Sequence, residues 1–311
     1  MIRIHILGSA AGGGLPQWNC ACANCTAARA GKITPQTQSS IAISGDSEGF
    51  HRWFLINASP DLRQQIIATP QLHPAAGQLR HSPIAGVILT NGEIDAVAGL
   101  LSMREGWPFT IYAHQRVLSI LATNSIFNVL NEKTVKRQPI EIDKTFEPTL
   151  PDGSPSGIEI VAFGVPGKGA WYLEGKAHPA GADGTGDTLG LRIADKATGK
   201  HFYFLAACAN VTDDLKKRIA GASAIFFDGT VWRDDELIAA GLGNKTGQGM
   251  GHIAMSGDNG AIESLDGLDI DRKMFLHINN SNPAWLRYSA ERKAVEGAGW
   301  QIPADGTEFT L

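Results

Sequence analysis

Three apolar runs in this chain, IAGVILT, SAIFFDGT and KMFLHIN, stop at residues able to carry charge or grip a cation. Such short apolar runs, bounded by polar turn residues, read as buried strands. Asn91, Glu93 and Asp95 follow the first, Asp228 stands at the tip of the second, and His277 closes the third. Residues 2–7 (IRIHIL), SSIAIS, RWFLINAS, FTIYAH and IEIVAFGV read as further strands, and GLRIADKATGKHFYFLAA as a hairpin turning at Thr198-Gly199. Helices are expected from Ser59 with Pro60 in the first turn, over GEIDAVAGLLSMRE, over QRVLSILATNSIFNVLN, over VTDDLKKRIAGA capped by Thr212, over NGAIESLDGL and over SAERKAVEGAG. With 36 glycines in 311 residues, tight turns and short strands are favoured over long helices.

The strand–helix alternation occurs twice. It predicts an α/β chain in which two mixed β-sheets pack face to face with helices outside, a four-layer αβ/βα sandwich. No linker long or polar enough to divide the chain interrupts it, so one domain over 1–311 is expected. AHPAGADGTGD (177–187) reads as an exposed loop.

A net charge of −4 and a pI near 6.1, without a basic stripe, argue against nucleic acid as a partner. No apolar run approaches the roughly 18 residues of a membrane span. The start, MIRIHILGSA, has too short an apolar stretch for a signal peptide. These readings point to a cytoplasmic protein in a reducing compartment, where disulfides are disfavoured.

The segment WNCACANC places Cys20, Cys22 and Cys25 within six residues; the chain's fourth cysteine is Cys208. Pairing any two of the three strains a short loop and strands the third. Nucleophilic use needs a basic neighbour, and the first downstream is Arg29. Three thiolates on one loop suit a structural zinc with a fourth ligand from elsewhere, although small buried side chains are the alternative.

Asn91, Glu93 and Asp95 suit a divalent cation such as Fe(II) or Mn(II), or else cap a helix whose dipole favours acids. Asp228 fits a site at a strand tip or a turn before glycine. His252, in GMGHIAMSG, and His277, in MFLHINNSN, sit beside turn-forming residues, as ligands or as ordinary hydrogen-bonding groups. His73, His81 and His114 read as loop or surface residues.

Together these residues resemble the metallo-β-lactamase superfamily, whose fold is the αβ/βα sandwich. Its H-x-H-x-D-H signature falls on Asn91-Gly92-Glu93-Ile94-Asp95-Ala96, where only Asp95 matches and Asn91, Glu93 and Ala96 replace three histidines. Asp228 falls on the strand-end aspartate. His277 falls on the last metal histidine of the phosphodiesterase and tRNA-processing branch, and His252 on that branch's catalytic histidine. The cysteine triplet resembles the structural zinc site of the related phosphodiesterases. Their completing histidine is replaced here by Asn280, leaving His277 as an alternative fourth zinc ligand.

The degenerate signature, with GSAAGGGLPQWNCAC, NASPDLRQQ, LTNGEIDAVAGLL and LHINNSNP, resembles the PqqB family over nearly the whole chain. The resemblance implies work in making pyrroloquinoline quinone (PQQ), through iron-dependent oxygenation of the tyrosine ring of a Glu–Tyr-derived precursor, or else a non-catalytic carrier of PQQ or its precursor. The implied cofactors are structural zinc and catalytic Fe(II), the latter held by Glu93, Asp95, Asp228 and His277. The implied partners are the peptide-derived substrate and molecular oxygen; a homodimer is one possibility that the residues leave open. Catalytic roles fall to Asp95 and His252, the latter as proton shuttle or ligand. For such a substrate Lys168 and Arg104 are candidates to meet its carboxylates, and Trp171 and Tyr172 suit either stacking on its aromatic ring or core packing. Loss of three signature histidines makes two-zinc hydrolysis the least favoured chemistry.

Overall fold

The computed structural model describes residues 1–45, 52–173 and 186–311. Its strands are β1 (Ile2–Gly8), β2 (Ser40–Gly45), β3 (Trp53–Ile56), β4 (Ile84–Ile88), β5 (Phe109–His114), β6 (Val135–Ile140), β7 (Thr145–Phe146), β8 (Ile158–Gly164), β9 (Leu189–Asp195), β10 (His201–Leu205), β11 (Ala224–Asp228), β12 (Lys273–Leu276), β13 (Trp300–Gln301) and β14 (Glu308–Thr310). They form two seven-stranded mixed sheets, ordered β14-β1-β2-β3-β4-β5-β6 and β13-β12-β11-β10-β9-β8-β7.

Period-two alternation on the strands explains the layering. On β1, Ile2, Ile4 and Ile6 enter one core, shared with Ile158, Leu191, Phe204 and Phe226 of the other sheet. Leu7, Ala42 and Leu55 face the opposite way, onto Leu62, Val97, Val117 and Leu121 of the helical layer. On the far side of the second sheet, Tyr203, Phe227 and Phe275 pack against Leu215, Ile219 and Val295. Three cores separate four layers, as the alternation predicts.

The hairpin turns at Gly199, whose φ of 73° suits the left-handed region, and β9 pairs antiparallel with β10. Thr212 caps its helix by accepting from the Leu215 amide at 3.2 Å. Other boundaries differ from the sequence reading. The helix expected from Ser59 runs only over Leu62–Ala68, because Pro60 and Asp61 are taken up in a turn. GEIDAVAGLLSMRE is helical over Ile94–Val97 and then tightens to 3₁₀ over Ala98–Met103. There Gly99 lies so close to the backbone that an added Cβ would stand 2.1 Å from the Ser59 carbonyl oxygen. The following helix breaks at Asn124 into Gln115–Thr123 and a 3₁₀ turn, Ser125–Val129. The strand β6 has no counterpart in the sequence reading, since VKRQPI contains Pro139; it is an edge strand, where proline is tolerated.

Most of the loop expected at 177–187 lies outside the described residues. Its last residue, Asp187, is not exposed: Arg116 donates to its two carboxylate oxygens at 2.7 and 2.8 Å, in a largely buried pair. Among the described residues, no helix is long and apolar enough to cross a membrane.

Candidate metal centre

The ends of β4, β11 and β12 converge on one side of the sandwich, beside a cavity of about 430 Å³. Glu93, Asp95, His252 and His277 line it, with Lys168 and Trp171 among its other walls. Asp228 lies just beneath, fully buried. The ligating atoms of Asp228, His252 and His277 fall within 4.8 Å of one another, and Asp95 Oδ2 stands 2.8 Å from His277 Nε2. The imidazoles of His252 and His277 stack with centroids 5.1 Å apart.

Asp228 is held by four hydrogen bonds. Its Oδ1 accepts from the Thr230 amide (3.0 Å) and hydroxyl (2.7 Å). Its Oδ2 accepts from the Cys208 amide (2.8 Å) and contacts His252 Nδ1 at 2.7 Å. A carboxylate offers about four lone-pair positions, so Asp228 both starts the turn and holds His252; binding a cation through it means giving up one of these bonds. Likewise Asn91 accepts from the Glu93 amide at 2.9 Å, while Asp95 reaches past the helix start to His277. The capping and ligand readings of that stretch are therefore divided between its residues.

Burial opposes charge on Asp95, but the His277 contact outweighs it and its carboxyl is held below the ordinary range. Burial likewise lowers His277, yet Asp95, Asp228 and Glu93 outweigh it and its pKa is raised. The pair demands positive charge, whether a proton or a cation. Glu93 is raised, first by burial and then by Asp95, against the Trp171 amide that it accepts at 2.9 Å. The donor set, carboxylates plus two imidazoles at a cavity wall, fits a divalent cation with open positions. His277 has φ of 57°, a left-handed conformation uncommon outside glycine and found at functional sites.

A second cluster lies along the same segment. The Sγ atoms of Cys20, Cys22 and Cys25 are within 4.8 Å of one another. The Asn280 amide stands 3.2, 3.6 and 3.3 Å from them in turn. Rotation of that amide exchanges its nitrogen and oxygen, so three sulfurs and an amide oxygen make a four-donor set suited to zinc. Buried Asn24 braces this segment, donating to the Asn280 and Asn282 carbonyls at 2.9 and 2.8 Å. Arg29 donates to the Gln17 and Cys20 carbonyls rather than to a thiol. All four cysteines are free, and burial, then Asp228, pushes the Cys208 thiol up to about 12.

Three expectations are corrected here. His277 does not complete the cysteine cluster: its ring turns to Asp95 and Thr230, while Asn280, three residues on, faces the sulfurs. Arg104 does not line the cavity; past the 3₁₀ turns it lies exposed, beside Glu105. Trp171 is not core but 61 % exposed at the cavity, and Tyr172 donates to the Gly92 carbonyl at 2.6 Å. Lys168 does line the cavity, and donates to the Gly249 carbonyl at 2.6 Å. Lys245, Gln38 and Thr188, also on its walls, carried no local sequence signal.

Fold and site together define a metal-binding domain of the β-lactamase superfamily, and the model of the beta-lactamase superfamily domain matches residues 52–278. The chain belongs, more narrowly, to the coenzyme PQQ synthesis protein B family. It is 70% identical over 311 residues, the whole of both chains, to the coenzyme PQQ synthesis protein B of Rhodopseudomonas palustris (strain BisB5). The crystal structure of Zn(2+)-bound PqqB from Methylobacterium extorquens is 50% identical, with a TM-score of 0.91 over 99% of this chain and 100% of that one. A diphosphatase of the PhnP family shares the fold at 17% identity and a TM-score of 0.67, over 100% of this chain and 98% of its own.

Proposed function

We propose that this chain acts in PQQ biosynthesis as an iron-dependent oxygenase, hydroxylating the tyrosine ring of a Glu–Tyr-derived precursor. The observation that carries this reading is the meeting of Asp95, His277 and His252 at one cavity wall over the buried Asp228, where three histidines of the superfamily signature are replaced. Relatives at 70% identity over the full length, named for PQQ synthesis, support the pathway. Held by Asp95, Asp228 and His277, with Glu93 on the cavity wall beside them and the second nitrogen of His252 left free, Fe(II) would supply the activation of molecular oxygen.

The chain's own groups do the rest. His252, held by Asp228, takes the phenolic proton. Lys168 releases the Gly249 carbonyl to meet a substrate carboxylate. The exposed Trp171 ring offers a face to the aromatic ring. One atom of O₂ enters the ring and the other leaves as water, which requires two electrons and two protons from an organic reductant; ascorbate serves in the assay. Zinc belongs in this reading to Cys20, Cys22, Cys25 and Asn280, and the relative from Methylobacterium extorquens holding Zn(2+) supports its use.

The test is an anaerobic ferrous titration followed by oxygen uptake with a Glu–Tyr dipeptide. The oxygenase reading expects one ferrous ion beyond the cysteine-held zinc, and oxygen consumption that depends on the dipeptide. A chain that takes only zinc, and whose role in PQQ formation survives Asp95→Ala, is a carrier instead.

A further inference from the structure

We infer that Thr230 is a positioning residue for the metal centre: its hydroxyl commits His277 to donate from Nδ1, leaving Nε2 as the atom for an ion shared with Asp95. This rests on the metal-centre reading above. Thr230 is 5% exposed and follows Asp228 by two residues, so the β11 tip fixes where its side chain lies.

Its Oγ1 has four partners: Asp228 Oδ1 at 2.7 Å, His277 Nδ1 at 2.9 Å, and His277 O and His252 Nδ1, each at 3.0 Å. A hydroxyl has one proton and two lone pairs. Two of the four partners, the carboxylate and carbonyl oxygens, only accept. Were the proton aimed at an imidazole, both would face a bare hydroxyl oxygen at 2.7 and 3.0 Å. The proton therefore goes to Asp228, the shortest contact, and the hydroxyl oxygen accepts from His277 Nδ1–H.

His277 Nε2, 2.8 Å from Asp95 Oδ2, is thereby the nitrogen on which a cation would replace the proton shared with Asp95. Outer partners of this kind set the tautomer and ring orientation of a ligating histidine. His252 differs, because its Nδ1 also reaches Asp228 Oδ2 at 2.7 Å. That second acceptor makes it an internal control: losing the Thr230 hydroxyl should release His277 and spare His252.

The experiment compares Thr230→Val, which keeps the shape, with Thr230→Ser, which keeps the hydroxyl. Zinc is titrated calorimetrically into each as a diamagnetic probe, and histidine ¹⁵N spectra are recorded on the loaded proteins. Thr230→Val should weaken the second ion by about 10–100-fold, remove the hydrogen-bonded Nδ1–H signal of His277 and leave that of His252. Thr230→Ser should keep both signals and stay close to the parent, and zinc at the cysteines should be unchanged in every variant. Unaltered affinity and spectra in Thr230→Val overturn the inference, as does Thr230→Ser behaving like Thr230→Val, or a parent chain with no second ion. A parent that binds the ion yet consumes no oxygen with the dipeptide sinks the oxygenase reading alone.

Discussion

The cysteine cluster and the carboxylate–imidazole cluster share one chain segment, His277 to Asn280, yet they are assembled in opposite ways. Three of the four donors of the first come from a single six-residue stretch, so forming it closes almost no chain. The second gathers Asp95, Asp228, His252 and His277 from the ends of separate strands and loops. Each closure there carries an entropic cost that only the packed sheets offset. The first cluster therefore depends on local structure and the second on the whole sandwich.

Reciprocal removal is the strongest test of that contrast. Asp95→Ala deletes a proposed ligand rather than an outer partner, so the second ion should weaken by more than the roughly 10–100-fold typical of outer-shell changes. The cysteine site should keep its zinc, counted by metal analysis. Cys25→Ser should do the reverse locally, and it should also lower ferrous affinity, because Asn280 anchors the segment carrying His277. If Cys25→Ser leaves the second site untouched, the shared segment does not couple them.

A core change separates the two sites by a different route. Phe226 is fully buried between the sheets, edge-on to Phe202 at 5.6 Å, two residues before Asp228. Truncation to alanine should cost about 3–5 kcal/mol of stability, measured by denaturant unfolding. Below the melting transition it should loosen the second site while zinc stoichiometry holds. Equal weakening of both sites would break the comparison.

The same contrast explains what was legible in the sequence. The cysteine triplet and the strand-tip residues Asp228 and His277 were visible because each owes its place to immediate neighbours. Thr230 was not, because a threonine after Asp-Gly meets His277 only when β11 and β12 lie side by side, and Asn280 entered only through the family resemblance, since its sulfur partners lie some 255 positions upstream. The four layers followed from alternation, which packing on both faces enforces. Helix lengths did not: Gly99 tightens one helix through a backbone approach from residues 58–59, about forty positions upstream, which periodicity cannot register.

The smallest expected effect concerns the strip of chain between the two clusters. Ala10 bridges to Ile278, Gly12 lies beside Asp95, and the Gln17 amide meets Cys25 Sγ at 3.3 Å. Asp305 pins that strip by accepting from the Ser9 amide at 3.0 Å and from the Thr37 amide and hydroxyl at 2.6 and 2.7 Å. Burial outweighs those hydrogen bonds and raises its pKa from 3.8 to about 6. An acid raised in the folded state holds its proton there after the unfolded chain has lost it. Its contribution is thus full below the unfolded value and fades as pH rises through about 6. Asp305→Asn removes the titration. At pH 7 it also trades an acceptor oxygen for an NH₂ group facing other donors, so relief and loss oppose each other and the net shift in Tm should be small. The slope is the cleaner readout: between about pH 4 and 6, the fall in Tm attributable to this group should vanish in the variant. Both metal stoichiometries should stay unchanged. An identical slope in parent and variant would mean that Asp305 does not titrate where its burial places it.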